Sequence, residues 1–147
     1  MKKFFILLSL ISLVSCHIIT PEEPVKETEE AFNAYGVMTV LSSGFTREDV
    51  HVKAVLKENN KLDLYMFDIK FASAMPVTID MLISNVDYVK KNNIYILKGD
   101  SIIPTAGGKP YEKYIIRNLD GQITADSINV SNLYGTTPST YKGAIKK

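Results

Sequence analysis

Residues 32–147 of this 147-residue chain predict an all-β domain of about eight antiparallel strands wound as an up-and-down barrel. Three observations carry that class. Apolar and polar residues alternate with period two through runs rich in Val, Ile, Tyr and Phe, the spacing of a strand with one buried face. No run of ten or more residues in this region shows the apolar stripe of an amphipathic helix. Asn59-Asn60, Asn92-Asn93 and Asp120-Gly121 punctuate the runs, and these residue types tolerate the positive φ of a tight hairpin turn.

The first strand runs from Phe32 to Leu41. In the second, Val50 to Lys57, the residues Val50, Val52, Ala54 and Leu56 share one face while His51, Lys53 and Lys57 share the other, with Val55 the exception. Asn59-Asn60 turns the chain into Lys61 to Phe71. There Leu62, Leu64 and Met66 lie on one face and Tyr65, Phe67, Ile69 and Phe71 on the other, so the apolar face switches partway. A bulge or bend near Met66 accounts for the switch. Asn92-Asn93 joins Val77 to Lys91 with Ile94 to Lys98, Asp120-Gly121 joins Tyr111 to Leu119 with Gln122 to Asn129, and Thr140 to Ile145 closes the set. Hairpin after hairpin without long crossovers favours a barrel, and eight strands enclose an interior just filled by side chains or able to hold one small ligand. A β-sandwich uses similar strands and is the alternative.

Ahead of this domain, Lys2 and Lys3 precede an apolar run from Phe4 to Leu13, and Leu13-Val14-Ser15-Cys16 follows, the three parts of a secretory signal peptide over residues 1–15. The apolar stretch is short for a bilayer span. Leu three positions before Cys16, with a small residue directly before it, resembles the lipobox of bacterial lipoproteins. That resemblance implies a diacylglyceryl group on the Cys16 thiol, cleavage just before it and acylation of the new amino terminus. Several chains at roughly 0.8 kcal/mol per buried methylene make such an anchor effectively permanent. The alternative is an ordinary secreted protein whose single Cys is incidental.

Residues 16–31 then read as the lipidated Cys and an acidic tether, for Pro21, Pro24 and five Glu against Lys26 cannot bury a core. In the Bacteroides group, an acidic patch soon after the lipidated Cys resembles the signal for the outer face of the outer membrane. A plain solvated spacer reads equally well. Losing Lys2 and Lys3 from 17 basic residues against 16 acidic ones leaves a nearly neutral chain, which argues against nucleic acid as a partner. Cys16 is the only cysteine, so no disulfide supports the fold.

Taken together, the lipobox and tether, Tyr35-Gly36-Val37-Met38 in the first strand, the strand from Leu62 to Phe71 and the closing Tyr141-Lys142-Gly143-Ala144-Ile145 resemble the calycin-like β-barrel domain of exported Bacteroides-group lipoproteins. The resemblance covers nearly all of residues 32–147 and implies a lipocalin-like barrel. The Gly-x-Trp of true lipocalins is absent, since Met38 stands two places after Gly36 and the chain has no Trp, which argues against retinoid-style or bilin-style binding. Among eight Tyr and six Phe, the candidates for lining a ligand site are Tyr65, Phe67, Phe71, Tyr95 and Tyr114; plain core or cross-strand packing is their bland reading.

Catalytic chemistry finds little purchase. His17 lies in the tether and His51 on the polar face of a strand, so neither is placed as a general base, and no Cys or His pair has metal-ligand spacing. The expectation is a protein that is not an enzyme and carries no cofactor or metal. Asp63, Asp68, Asp80 and Asp87 lie in strands, where paired carboxylates would suit glycoside hydrolysis and solvent-facing strand charge is the simpler reading. Pro104 to Pro110 lacks the spacing of a phosphate loop and reads as a lid at a barrel mouth. Asp100-Ser101-Ile102 and Asp126-Ser127-Ile128 resemble the site at which Bacteroides-type bacteria attach O-glycans, with Ser101 and Ser127 as acceptors.

The expected function is a lipid-anchored module of the cell envelope, sited at the outer membrane, that binds a small apolar or amphipathic ligand. The rival is a barrel filled by side chains that docks an envelope protein partner. An empty apolar lumen favours the first, a packed one the second.

Overall fold

The computed structural model describes residues 29–147; the expected signal peptide, Cys16, His17 and most of the expected tether fall outside the described residues. Ten strands follow in order: β1 (Ala31–Val40), β2 (Phe45–Lys57), β3 (Lys61–Ile69), β4 (Ile79–Lys91), β5 (Ile94–Gly99), β6 (Thr105–Ala106), β7 (Lys109–Pro110), β8 (Ile116–Ile123), β9 (Ser127–Tyr134) and β10 (Thr137–Ile145). Eight of them close a barrel in the order β1-β2-β3-β4-β5-β8-β9-β10, all antiparallel, with β10 paired back onto β1. Closure leaves no long edge to template aggregation. The sandwich alternative is thereby excluded.

Alternation along each strand fills the interior. Ala34, Met38 and Val40 of β1, Val50, Val52 and Ala54 of β2, Leu62, Leu64 and Met66 of β3, and Ile128, Val130 and Tyr134 of β9 are all between 0% and 6% exposed. Burying a Leu, Ile or Val side chain contributes about 1.5–3 kcal/mol, so this packed interior is the main source of stability.

Four bulges let the sheet curl tightly enough to close. Each centres on an Asp or Asn with positive φ inside a strand: Asp49 (56°), Asp68 (55°), Asn85 (59°) and Asn118 (50°). These residue types enter the left-handed region at the least cost among side-chain-bearing residues, and pairing registers shift beside each of them. Three bulges are clamped by a carboxylate. The backbone N–H of Asp68 donates to Asp80 Oδ1 at 2.9 Å, that of Asn85 to Asp63 Oδ1 at 3.0 Å and that of Asn118 to Asp100 Oδ1 at 3.0 Å. The Asn118 N–H bond holds the Asp100 carboxyl below the usual carboxylate range. The face switch expected near Met66 thus occurs two residues later, at Asp68, beyond which Ile69 and Phe71 point inward.

The turns are a mixed result. Asn92-Asn93 forms a two-residue turn between the paired Lys91 and Ile94, with φ of 49° and 64°. Asn59 and Asn60 also have positive φ, within a three-residue connection between Lys57 and Lys61. Asp120-Gly121 makes no turn at all. Gly121 lies mid-strand in β8, paired with Leu97 on one side and Val130 on the other, and a Cβ there would stand 2.6 Å from the Asn129 carbonyl oxygen. The glycine serves close strand approach, and the chain reverses at Thr124–Asp126, where the Thr124 N–H reaches the Ser127 carbonyl. Accordingly the expected strand from Tyr111 begins only at Ile116, after a 3-10 turn over Glu112–Tyr114, and the closing hairpin lies at Gly135-Thr136.

Glycine also decides the seam between β1 and β10. Gly36 faces Gly143 across it, and a Cβ on Gly36 would lie 2.0 Å from the Lys142 carbonyl oxygen. Beside this bare patch the Tyr141 phenol folds over Gly143 and donates to the Val50 carbonyl at 3.0 Å, next to the Asp49 bulge. Burial raises the Tyr141 hydroxyl far above its ordinary pKa.

Candidate functional site

One mouth of the barrel is capped. Between β5 and β8 the chain crosses that end: Ile102 bridges to Ile116, Pro104 is buried, and β6 and β7 form a small hairpin around Gly107-Gly108 that pairs with β4 through Met81 and Leu82. The segment expected to be a lid therefore adds to the sheet. Positive φ at both glycines, 57° and 75°, is what the tight turn demands. Hydrogen bonds from Tyr111 N–H to the Pro104 carbonyl (2.8 Å) and from Gly135 N–H to the Ile115 carbonyl (2.8 Å) fasten the cap to itself and to the β9–β10 turn.

Beneath the cap four aromatic rings converge from three separate stretches of sequence. Phe71, just past β3, stacks on Tyr114 of the cap at 4.6 Å and tilts against Tyr134 of β9 at 4.8 Å. Tyr111 meets Tyr114 edge-on at 4.9 Å. Met75 packs beside them and its sulfur accepts the Phe71 N–H at 3.1 Å. These offset and edge-on arrangements are the favourable ones for aromatic quadrupoles. Tyr134 is 2% exposed, and its hydroxyl donates to the Met66 sulfur at 2.8 Å. Burial pushes that phenol far above its ordinary range, so it stays neutral and can only offer a proton or a lone pair.

Of the five aromatic candidates, then, Phe71 and Tyr114 come together, and Tyr111 and Tyr134 complete a box that sequence reasoning missed. Tyr95 is placed at the opposite end. There it is 5% exposed, packs against Phe32 and Tyr88, each at 5.4 Å, and lies under Lys90 Nζ at 5.0 Å. Tyr65 and Phe67 point outward, away from the lumen. Phe67 joins a ladder across β1, β2 and β3 in which Tyr35 stacks on His51 at 4.6 Å and His51 on Phe67 at 4.8 Å, with Lys146 Nζ over the far face of Tyr35 at 4.2 Å. Around the other side of the outer wall, β3, β4, β5 and β8 carry charge instead, with ion pairs Lys61–Asp87 and Lys98–Asp120. Such exposed pairs contribute about 0–1 kcal/mol.

His51 is not a surface spectator. Its Nε2 is 3.0 Å from Asn33 Oδ1, and desolvation between the two rings, helped by the Lys53 charge, lowers its pKa below 6.5. A histidine with a depressed folded pKa binds fewer protons folded than unfolded in the window below 6.5. Stability is therefore expected to fall as pH drops through 6.5 and to level off below the folded pKa. Urea titrations from about pH 8 to about pH 5 should show that step in the wild type and not in His51→Asn; an identical step in both would assign it elsewhere.

The two Asp-Ser-Ile segments differ. Ser101 is exposed, with φ of 56° and its hydroxyl donating to Asp100, whose carboxylate also clamps the Asn118 bulge. Ser127 is half-buried and tied to Thr124 Oγ1 and Asn129 Nδ2. Asp63 and Asp80 are committed to bulges and Asp87 to Lys61, and among the described residues no three His, Cys, Asp or Glu converge on one point. Concavities of about 1060, 370 and 510 Å³ indent the described surface on a rim or the outer wall; the first and third are lined largely by charged or amide side chains, the second by a mixture that includes Ile96, Val130 and Tyr141. Among the described residues no helix is long and apolar enough to cross a membrane. The chain matches no family model, no curated protein and no solved structure.

Proposed function

We propose that this chain is an exported lipoprotein, held in the cell envelope at the outer membrane by lipids on Cys16, whose calycin-like barrel takes a small amphipathic ligand at its capped end. The observation that carries the binding reading is the aromatic box. Phe71, Tyr111, Tyr114 and Tyr134 meet at one mouth, and three of them sit on connections that can part without unzipping a barrel strand. Binding is favoured over catalysis because His51 is committed to a stack and Asp63, Asp80 and Asp100 to bulges. Of the two serines that resemble glycan acceptors, the exposed Ser101 is the accessible one.

A second reading has its own observation. The lumen is packed, with its lining between 0% and 8% exposed, and the Tyr35–His51–Phe67 ladder lies on the outer wall. A filled barrel that docks an envelope protein through that wall fits both facts. Uptake of the neutral apolar dye N-phenyl-1-naphthylamine separates the two. The full chain in lipid nanodiscs is expected to enhance the dye's fluorescence saturably, and Phe71→Asp to weaken uptake about tenfold or more by placing a charge in the box. Uptake that Phe71→Asp leaves unchanged would remove the mouth as the site, and no uptake at all would favour the docking reading.

A further inference from the structure

Inside the barrel, two opposed polar side chains each carry an atom that closes no hydrogen bond. Asn132 of β9 and Ser139 of β10 are directly opposed in register, point inward and are 7% and 2% exposed. Asn132 Nδ2 and Ser139 Oγ are both sealed from solvent and neither closes a hydrogen bond, although the Asn132 amide reaches toward the hydroxyl of neighbouring Tyr134. Leaving such an atom unpaired is costly, and native interiors hold few of them. Directly opposed on neighbouring strands, the two form a polar seat in a lumen otherwise lined by apolar side chains and tyrosine rings. The seat lies one inward step, about 7 Å, along β9 from Tyr134, whose ring is a wall of the aromatic box.

We infer that Asn132 and Ser139 hold the neutral hydroxyl head of an amphiphile whose apolar tail lies among Phe71, Tyr111 and Tyr114. The inference rests on the mouth reading and adds the class of head group. An amide N–H can only donate, whereas a serine hydroxyl can donate or accept. The complementary group is an oxygen that accepts from Asn132 and exchanges a hydrogen bond with Ser139, which an alcohol does with one atom. Charge selects against the alternatives. Besides the tyrosine hydroxyls, Asn132 and Ser139 are the polar side chains among the buried described residues, and none is charged, so an ionised carboxylate, phosphate or ammonium would find no counter-charge there.

The test uses the full chain, with asparagine labelled by ¹⁵N, in lipid nanodiscs at about pH 8, where carboxylic acids are ionised. 1-Octanol and octanoate are titrated in parallel, with empty nanodiscs as the blank. Octanol is expected to shift the Asn132 side-chain amide saturably and octanoate to leave it in place. Asn132→Leu and Ser139→Ala should each weaken octanol binding about tenfold, read by dye displacement; Ser139→Ala is small enough to keep the fold if Asn132→Leu disturbs it. Octanoate binding as tightly as octanol, or octanol binding unchanged in both variants, overturns the head-group assignment while the box reading stands. No saturable binding by either probe overturns both.

Discussion

Replacing Gly36 with alanine should cost about 3 kcal/mol or more, a large part of the 5–15 kcal/mol typical of a whole domain. The new Cβ would stand 2.0 Å from the Lys142 carbonyl oxygen and 2.3 Å from the Gly143 Cα, both backbone atoms that no rotamer change can move. Relief requires β1 and β10 to part where Tyr35 pairs with Ala144 and Val37 with Lys142, at the seam that closes the barrel. The same opening would pull Tyr141 from the Val50 carbonyl. Gly44→Ala is the control. Its φ of 72° is unfavourable for alanine, yet nothing lies within 4 Å of the added methyl, so about 1 kcal/mol is expected. Urea midpoints measure both, and a Gly36→Ala midpoint equal to that of Gly44→Ala would contradict the close-approach account.

Cys16→Ser should abolish the lipid mass and leave the leader, with its apolar run from Phe4 to Leu13, uncleaved. The proposed anchor depends on one thiol, because a serine hydroxyl in that place accepts no diacylglyceryl group and the subsequent cleavage and acylation depend on that step. At roughly 0.8 kcal/mol per buried methylene, two or three acyl chains hold a protein far more tightly than any surface of this nearly neutral chain could. Detergent phase partitioning with intact mass reads the result. Wild type is expected in the detergent phase at the mass of polypeptide from Cys16 plus lipid, and the variant without lipid mass. A wild-type chain that partitions into water at its bare mass would sink the anchor.

What was legible in the sequence was whatever depends on local alternation and on turn residues with one meaning. Val50, Val52 and Ala54 announced their inward face, and Asn92-Asn93 its turn, because nothing else in that neighbourhood competes. Asp120-Gly121 misled because glycine serves two ends, positive φ in a turn and close approach between strands, and only the neighbours Leu97 and Val130 tell which applies. In β3, aromatic residues on one face and aliphatic ones on the other left the inward face undecided. The bulge at Asp68 sends Tyr65 and Phe67 outward but Phe71 inward. Half of the box was missed for a related reason. A strand ended at Asn129 never reaches Tyr134, although Ile128, Val130 and Tyr134 keep the period of two, with Asn132 a buried polar position within it. The cap has no period to read, since its short hairpin is held by pairing with β4, far away in sequence.

Native mass spectrometry of the full-length protein, extracted from its own membranes in mild detergent, tests the binding account most directly. The prediction is a lipidated polypeptide carrying a reproducible neutral adduct that is lost from Phe71→Asp. Lipidated polypeptide alone, at the same mass in both, would contradict it and leave a filled barrel that works through its outer wall.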